Sequence, residues 1–271
     1  MKKSRLAKVL TVSLAALMVF GLASCGGGSG KVSDKDITVI SREEGSGTRD
    51  AFTELTGVLQ DDVDKTVDTA EISNSTSVVT QSVAGNDAAI GYISPGSLDD
   101  TVKAVKVDGV EATVDNIKSG DYKIQRPFNI VTKGEVKELP ADFIKFIMSK
   151  DGQKIIEDEG YISVNENAEA YKASGLKGSI TLAGSTSVSP VMEVLADKYK
   201  ELNSGVTIEI QQTGSGAGIQ STIEGVCDIG MASRALADDE ASQGLTSQEI
   251  ALDGIAVIVN TNNSVEDLTT D

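Results

Sequence analysis

Histidine and tryptophan are absent from this 271-residue chain, and aromatic residues make up only 4% of it. Without histidine the chain cannot build a Ser-His-Asp triad, an HExxH zinc site or most histidine-based acid–base schemes. No GxSxG, Walker A or dinucleotide-binding GxGxxG pattern fits either. A hydrolase that pairs serine with lysine stays open, although no particular lysine is indicated. Without tryptophan, the core must consist mainly of Val, Ile, Leu and Ala.

Cysteine is also scarce, with two residues, Cys25 and Cys227. Residues 1–24 carry four basic side chains and then an apolar run, which is typical of a secretory signal peptide. The run is shorter than the about 20 apolar residues of a membrane span. The sequence before Cys25, Leu-Ala-Ser, resembles the lipobox of bacterial lipoproteins, so the resemblance implies lipidation at Cys25 and a flexible tether over 25–32. An ordinary cleaved signal with an incidental cysteine is the alternative.

These features predict a protein that is lipid-anchored to the cell membrane on its extracytoplasmic face. Cys227 lies in an apolar, strand-like stretch and is most simply a small core residue. If Cys25 is lipidated, Cys227 is left without a partner for an intrachain disulfide.

Acidic residues outnumber basic ones by 41 to 24, so the formal net charge is −17. Removing the leader takes away four positive charges, which brings the charge to −21. Such a surface repels nucleic acid, so an anion site here must work through local hydrogen-bond donors. The acidic pairs Asp61-Asp62, Asp99-Asp100 and Asp238-Asp239 are interpreted as solvated turns rather than metal ligands. We therefore expect no metal, no other cofactor and no nucleic-acid partner.

Strand-like and helix-like patterns alternate along the chain, which favours an α/β fold. The predicted strands are 37–41, 88–94, 102–107, 124–131, 179–183, 206–211, 227–231 and 250–260. The predicted helices are 49–56, 77–84, 140–148, 152–158, 190–202 and 218–223. A loose polar stretch over 165–177 is interpreted as a surface connection.

Two Ser/Gly loops, Gly45-Ser46-Gly47-Thr48 and the loop over 214–218, lie between a predicted strand and a predicted helix. A helix start offers unpaired backbone N–H groups and a partial positive charge, so it can hold an anion. Serine and threonine add hydroxyl donors. The simpler alternative is that these residues only cap their helices.

Larger segments resemble one family. Residues 179–240, which begin SITLAGSTSVSPVMEV, and residues 37–52, ITVISREEGSGTRDAF, are similar to phosphate-binding proteins of bacterial phosphate ABC transporters. The resemblance continues through 88–97, 122–129, 152–164 and 250–260. The order of these pieces differs from the commonest one in the family, so the chain looks circularly permuted. A segment with an IFxG turn, which the family carries between the two joined ends, is not seen here.

The resemblance implies a two-lobed periplasmic-binding-protein-like (type II) fold, with a mixed sheet flanked by helices in each lobe and the ligand in the cleft. We expect one lobe to comprise 33–107 plus 256–271, and the other 108–255. Each lobe then supplies half of the donors, so the bound anion favours closure.

The family's binding pattern falls on residues from both halves: Arg42, Ser46, Gly47, Thr48, Thr186, Ser187, Ser215 and Asp228. Arg42 offers a planar fork to two oxygens, although a surface pair with Glu43 or Glu44 is its alternative. Asp228 is expected to accept the hydrogen that phosphate keeps near neutral pH and fully ionised sulfate lacks. Its alternatives are a pair with Arg42 or the cap of a turn.

The predicted function is capture of inorganic phosphate and its delivery to the permease subunits of an ABC transporter, by a monomer without enzymatic activity. Binding of another tetrahedral oxyanion, sulfate or molybdate, is the first alternative. A phosphoester hydrolase or a lipoprotein without a role in transport would be alternatives of a different class.

Overall fold

The computed structural model describes residues 36–61 and 63–270. The chain separates into two units, 1–31 and 32–271, and the account below concerns the second. The predicted signal peptide and the whole predicted tether, which includes Cys25, lie outside the described residues, as do Asp62 and Asp271. Among the helices described, none combines the length and hydropathy needed to cross a bilayer.

Eight α-helices and fifteen strands form within the described ranges. The helices are α1 Gly47–Leu55, α2 Thr76–Ala84, α3 Val114–Ser119, α4 Glu138–Ile147, α5 Lys150–Asp158, α6 Ser189–Leu202, α7 Ser215–Glu224 and α8 Asp238–Ala241. The strands are β1 Thr38–Arg42, β2 Leu59–Gln60, β3 Val63–Asp64, β4 Glu71–Ser73, β5 Ala89–Ile93, β6 Val102–Ala104, β7 Lys106–Val107, β8 Gln125–Lys133, β9 Ile162–Ser163, β10 Gly178–Gly184, β11 Val206–Gln212, β12 Ile229–Ala232, β13 Leu245–Gly254, β14 Ala256–Asn260 and β15 Asp267–Leu268.

Two mixed sheets organise the two lobes, as the α/β prediction requires. The first has the strand order β4-β1-β5-β14-β6, and the second has the order β11-β10-β12-β8-β13-β9. In the first sheet β1 runs parallel to β4 and β5, and in the second β10 runs parallel to β11 and β12. The carboxyl ends of these parallel strands are where an α/β fold places its ligands.

Each sheet buries apolar side chains against helices. In the second lobe, Phe143 of α4, Ile156 of α5 and Leu195 of α6 share one core with the sheet. Ile219 of α7 packs with Val131 of β8 in a separate, smaller cluster. In the first lobe, the buried faces of α2 and the five-stranded sheet pack together. The predicted two-lobed fold with flanking helices is confirmed.

Two chain segments connect the sheets. One enters β8 through Ile124, and the other is Ile255, a single residue between β13 and β14. They are joined to each other, since the Tyr122 hydroxyl donates to the Ile255 carbonyl at 2.7 Å and the Ile255 N–H donates to the Ile124 carbonyl at 2.8 Å. Ile117 of α3 and Tyr122 pack in one cluster with Val257 of β14, a strand of the first sheet.

The predicted elements appear with small shifts at their ends. There are two exceptions. The predicted strand over 250–260 is two strands, because β13 and β14 lie in different sheets and Ile255 connects them, and the predicted strand over 102–107 is divided in the same way into β6 and β7. The stretch over 165–177 contains no helix or strand, as predicted. Of the acidic pairs, Asp238 and Asp239 begin the short helix α8 instead of forming a turn.

Candidate anion-binding site

The candidate site lies where loops from both sheets meet. The first lobe contributes the loop after β1 and the start of α2, which follows β4. The second lobe contributes the loops after β10, β11 and β12. All of these loops leave the carboxyl ends of strands, so the site is where the parallel parts of the two sheets would hold a ligand.

Arg42 is the buried cation of the site, with a side chain only 2% exposed. Its Nε and Nη2 donate to Glu43 Oε2 and Oε1 at 2.8 and 2.9 Å, and Nη2 also donates to Thr186 Oγ1 at 3.1 Å. The pair with Glu43, which was the alternative for Arg42, therefore forms, but inside the site instead of on the surface. The bond to Thr186 joins the two lobes.

The backbone of Arg42 is held in place by neighbours. Its N–H donates to the hydroxyl of Tyr92 at 3.2 Å, and its carbonyl accepts from Arg49 Nη1 at 3.0 Å. The Tyr92 hydroxyl also shares a hydrogen bond of 2.8 Å with Ser41, and its ring stacks on Phe52 of α1 with 4.1 Å between centroids. The strand end that carries Arg42 is thus fixed before any ligand enters.

The first Ser/Gly loop leads into α1. Ser46 is the N-cap, and its hydroxyl accepts from the Arg49 N–H at 3.4 Å, as the capping interpretation expected. Gly47 approaches the other lobe closely, since a Cβ at this position would lie 2.6 Å from Ser215 Oγ and 2.8 Å from Ser233 Oγ. A side chain at residue 47 would therefore push the lobes apart.

Four buried hydroxyls meet between the lobes. Thr48 Oγ1 lies 2.9 Å from Ser187 Oγ, and Thr76 Oγ1 lies 3.2 Å from Thr186 Oγ1 and 3.3 Å from Ser187 Oγ. Hydroxyls can donate or accept, so this group can turn its hydrogens toward an anion.

Ser215 and the start of α7 complete the arrangement. No side chain of the described residues caps α7, and its N-cap residue is Gly214, with a φ of 88°. The Ser215 hydroxyl accepts from the Ser233 N–H at 3.1 Å, and Ser185 Oγ donates to Ser233 Oγ at 3.0 Å. The Gly216 N–H of α7 donates to the Gly45 carbonyl of the first lobe at 2.9 Å, so the helix start contacts the other lobe and brings its partial positive charge to the site.

Asp228 is the predicted site residue that the structure does not bring to this group. It precedes β12, whereas the site lies beyond the other end of that strand, roughly 16 Å away at about 3.3 Å per residue. Its Oδ2 accepts from the Thr181 N–H at 3.1 Å, and its Oδ1 pairs with Lys137 Nζ at 2.9 Å. We therefore do not include Asp228 among the proposed binding residues.

Three neighbours of the site, Thr76, Ser185 and Ser233, did not appear among the predicted residues. Ser185 lies inside the GSTSV loop beside two predicted residues, and Ser233 follows a predicted strand, so both had a signal in the sequence. Thr76 follows β4, which has three residues and too few apolar positions to be predicted as a strand.

A second link between the lobes runs through Arg234. Its Nε donates to Asp50 Oδ2 of α1 at 2.9 Å, while Nη1 and Nη2 donate to the two carboxylate oxygens of Glu240 at 2.7 and 2.8 Å. The hydrogen bonds from Arg234 lower the pKa of Glu240, and burial raises the pKa of Asp50. In the part of the chain that the structure describes, no group of three or more His, Cys, Asp or Glu could hold a metal ion.

Comparisons with known proteins identify relatives of this chain. The model of the PBP superfamily domain matches residues 29–151 and 169–271. Phosphate-binding protein PstS 2 of Streptococcus agalactiae is 50% identical over 277 positions, which cover 100% of this chain and 94% of that protein. A crystal structure of a phosphate-binding protein of a phosphate ABC transporter from Streptococcus pneumoniae is 49% identical, with a TM-score of 0.69, and covers 86% of this chain and 92% of that one.

The extent of these matches bears on the order of the segments. The S. agalactiae protein aligns through the whole chain, so it carries the segments in the same order. Phosphate-binding protein PstS of Bacillus subtilis is 34% identical over 144 residues, which cover 52% of this chain and 46% of that protein. A match that stops at about half of both chains is what a different order of two halves would produce. The chain belongs to the PBP superfamily and, within it, to the family of phosphate-binding proteins of phosphate ABC transporters.

Proposed function

We propose that this protein binds inorganic phosphate between its two lobes and delivers it, chemically unchanged, to the permease of an ABC transporter. The observation that carries the proposal is the convergence on one place of the buried Arg42 side chain, the inter-lobe hydroxyls and the start of α7, which no side chain of the described residues caps. All of these groups can donate hydrogen bonds, and a tetrahedral oxyanion accepts them on every side.

The energies are sufficient for tight binding. Hydrogen bonds to charged groups contribute about 1.5 to 3 kcal/mol each, and micromolar affinity needs about −8 kcal/mol after the ordering costs. Arg42 with several hydroxyl and backbone donors reaches that level. The names of the relatives support delivery to a transporter and give no support to an enzymatic role.

The proposal includes the location of the protein. The lipobox-like sequence before Cys25 supports lipidation there, which would anchor a monomer to the extracytoplasmic face of the cell membrane. Among the described residues, membership of the two sheets supports one lobe of residues 36–61, 63–124 and 256–270 and a second of 125–255, joined at Ile124 and Ile255.

The test is calorimetric titration of the protein without its first 24 residues, freed of bound anion by cycles of mild unfolding and refolding. We expect one-to-one binding of phosphate at pH 7 and much weaker binding of sulfate. A folded protein that binds sulfate or molybdate more tightly than phosphate is a receptor for another oxyanion. Hydrolysis of a chromogenic phosphate ester, or no oxyanion binding at all, would overturn the proposal.

A further inference from the structure

A cavity of about 600 Å³ lies against the anion site, between the two lobes. Thr76 and Thr186, whose hydroxyl oxygens lie 3.2 Å apart in the inter-lobe group, also line this cavity. Its other walls come from α2 and the loop after β5 in the first lobe, and from the start of α6 and the end of β11 in the second. An anion bound at those two hydroxyls therefore has open space on one side.

The size of this space suits a small organic group. Cavities that hold small molecules have volumes of about 300 to 1,000 Å³. The lobes already contact each other beside the cavity, because Thr48 Oγ1 lies 2.9 Å from Ser187 Oγ and Arg42 Nη2 donates to Thr186 Oγ1 at 3.1 Å. The space is thus present while the lobes are in contact and is not a gap left by their separation.

The wall of the cavity offers hydrogen-bonding groups and apolar carbons side by side. Ser77 and Gln81 of α2 and Gln212 at the end of β11 contribute a hydroxyl and two amides. Ala84 and Pro190 contribute apolar carbons. A polyol matches such a wall, because its C–H groups pack on carbons while its hydroxyls donate and accept hydrogen bonds.

One polar atom of the wall is left without a partner. Ser97 lines the cavity, and its Oγ is buried and makes no hydrogen bond within the described part of the chain. Buried polar atoms in folded proteins nearly always have a partner, and leaving one unsatisfied is costly. The Ser97 hydroxyl therefore indicates a ligand that brings a hydrogen-bonding group of its own.

The charge of the wall indicates that this group is neutral. Of the described residues that line the cavity, Asp99 alone is charged, and none is basic. A carboxylate or a second phosphate on the ligand would lose its water without gaining a counter-charge, whereas a hydroxyl needs none.

We propose that the protein also binds phosphate monoesters of small, uncharged polyols, such as glycerol phosphate, with the phosphate group at the anion site and the polyol in this cavity. A monoester keeps three phosphate oxygens for the donors around Arg42, and its fourth oxygen carries the polyol. The ester is bound and not cleaved. The inference rests on the proposed function, because the phosphate group occupies the same site.

The test is calorimetric titration at pH 7 with glycerol phosphate freed of inorganic phosphate, on the protein prepared as for the phosphate titration. We expect one-to-one binding that inorganic phosphate competes away, and a phosphorus NMR signal of the intact ester in the complex. Phosphoglycerate, which adds a carboxylate to a similar skeleton, should bind about 10-fold more weakly than glycerol phosphate.

Gln81→Trp separates the cavity from the anion site. Gln81 is exposed on α2, so tryptophan there fills the cavity without removing a donor of the anion site. It should weaken binding of glycerol phosphate by about 10-fold or more and change the affinity for inorganic phosphate by less than about twofold. Val78→Trp is the matched control, because Val78 is exposed on the same helix and does not line the cavity. It should leave both affinities unchanged.

The possible results distinguish the inference from the proposed function. If the wild type binds inorganic phosphate but not glycerol phosphate, the cavity is only the path by which the anion enters, and the inference is wrong. Ester binding that Gln81→Trp leaves unchanged also overturns it, since the polyol then lies elsewhere. Phosphoglycerate that binds as tightly as glycerol phosphate contradicts the neutral ligand class. A wild type that binds neither inorganic phosphate nor the ester contradicts the proposed function itself.

Discussion

At the residue scale, the site depends on the shape of one side chain as much as on its charge. Arg42 is almost completely buried, and its nitrogens point in two directions, toward Glu43 and toward Thr186. Lysine would keep the positive charge but would lose the planar fork that makes both contacts at once. The position therefore requires arginine.

Arg42→Lys should weaken phosphate binding by about 10- to 100-fold, the equivalent of one charge-assisted hydrogen bond. The dissociation constant from calorimetry at pH 7 is the measurement. Asp228→Asn is the matched control, because Asp228 is bound to Thr181 and Lys137 at the far end of β12. We expect it to bind phosphate like the wild type. Normal phosphate binding by Arg42→Lys together with weakened binding by Asp228→Asn would contradict the placement of the site.

At the element scale, the sequence predicted the long elements and missed the short ones. β10, α6 and β11 have enough turns or alternations for their periodicity to be recognised. α3 and β4, with six and three residues, do not. The loss of β4 also explains why Thr76 was not predicted, since it follows that strand. Such elements form because neighbouring strands and helices hold them, and that information is not local.

The error on Asp228 has a different cause. Ligands collect at the carboxyl ends of parallel strands, and Asp228 comes before its strand, not after it. The direction of the chain therefore already argued against a binding role. Of the other seven predicted residues, Arg42 ends a strand and six follow one, and the structure brings those seven together.

The antiparallel pair β8 and β13 gives a prediction about pH. Arg126 and Asp253 lie opposite each other in the register, are both buried, and pair at 3.2 Å, while Ser94 of the first lobe donates to Asp253 at 2.8 Å. Burial raises the pKa of Asp253 to about 6. The ordinary value in an unfolded chain is about 3.9, so the folded state binds this proton more tightly.

The contribution of Asp253 to stability is therefore present in full below about pH 4 and is lost as the pH rises through about 6. Relative to Asp253→Asn, the wild type should gain about 1 kcal/mol in free energy of unfolding between pH 7 and pH 5. Urea unfolding at both pH values measures it. The variant is less stable at every pH, because Arg126 loses its partner. If the difference in free energy of unfolding between the wild type and Asp253→Asn shrinks from pH 7 to pH 5, the pKa of Asp253 is not raised.

At the scale of the whole molecule, closure depends on contacts that cross between the lobes. One such contact, the hydrogen bond from Arg234 to Asp50, lies outside the anion site. Arg234 also pairs with Glu240, which holds its side chain in place. The Asp50 side chain is 41% exposed, so this ion pair contributes at most about 1 kcal/mol. It stabilises the closed form without deciding which anion is bound.

Asp50→Asn should therefore speed the release of phosphate by about two- to fivefold and leave its rate of association nearly unchanged. Release of radiolabelled phosphate into an excess of unlabelled phosphate measures this rate. Glu266→Gln is the control, because Glu266 pairs with Lys103 within one lobe. Equal release rates in the two variants would mean that the Arg234 contact does not contribute to closure.

The contact between Tyr92 and the backbone of Arg42 has a practical consequence. The chain has no tryptophan and five tyrosines, so its ultraviolet emission comes from tyrosine alone. One of those five hydroxyls accepts from the backbone N–H of the site's arginine, and its ring is stacked on α1, the helix that begins at the site. We expect an anion bound beside Arg42 to change the electrostatic surroundings of this ring, and tyrosine emission during a titration with phosphate would measure the change without an attached dye.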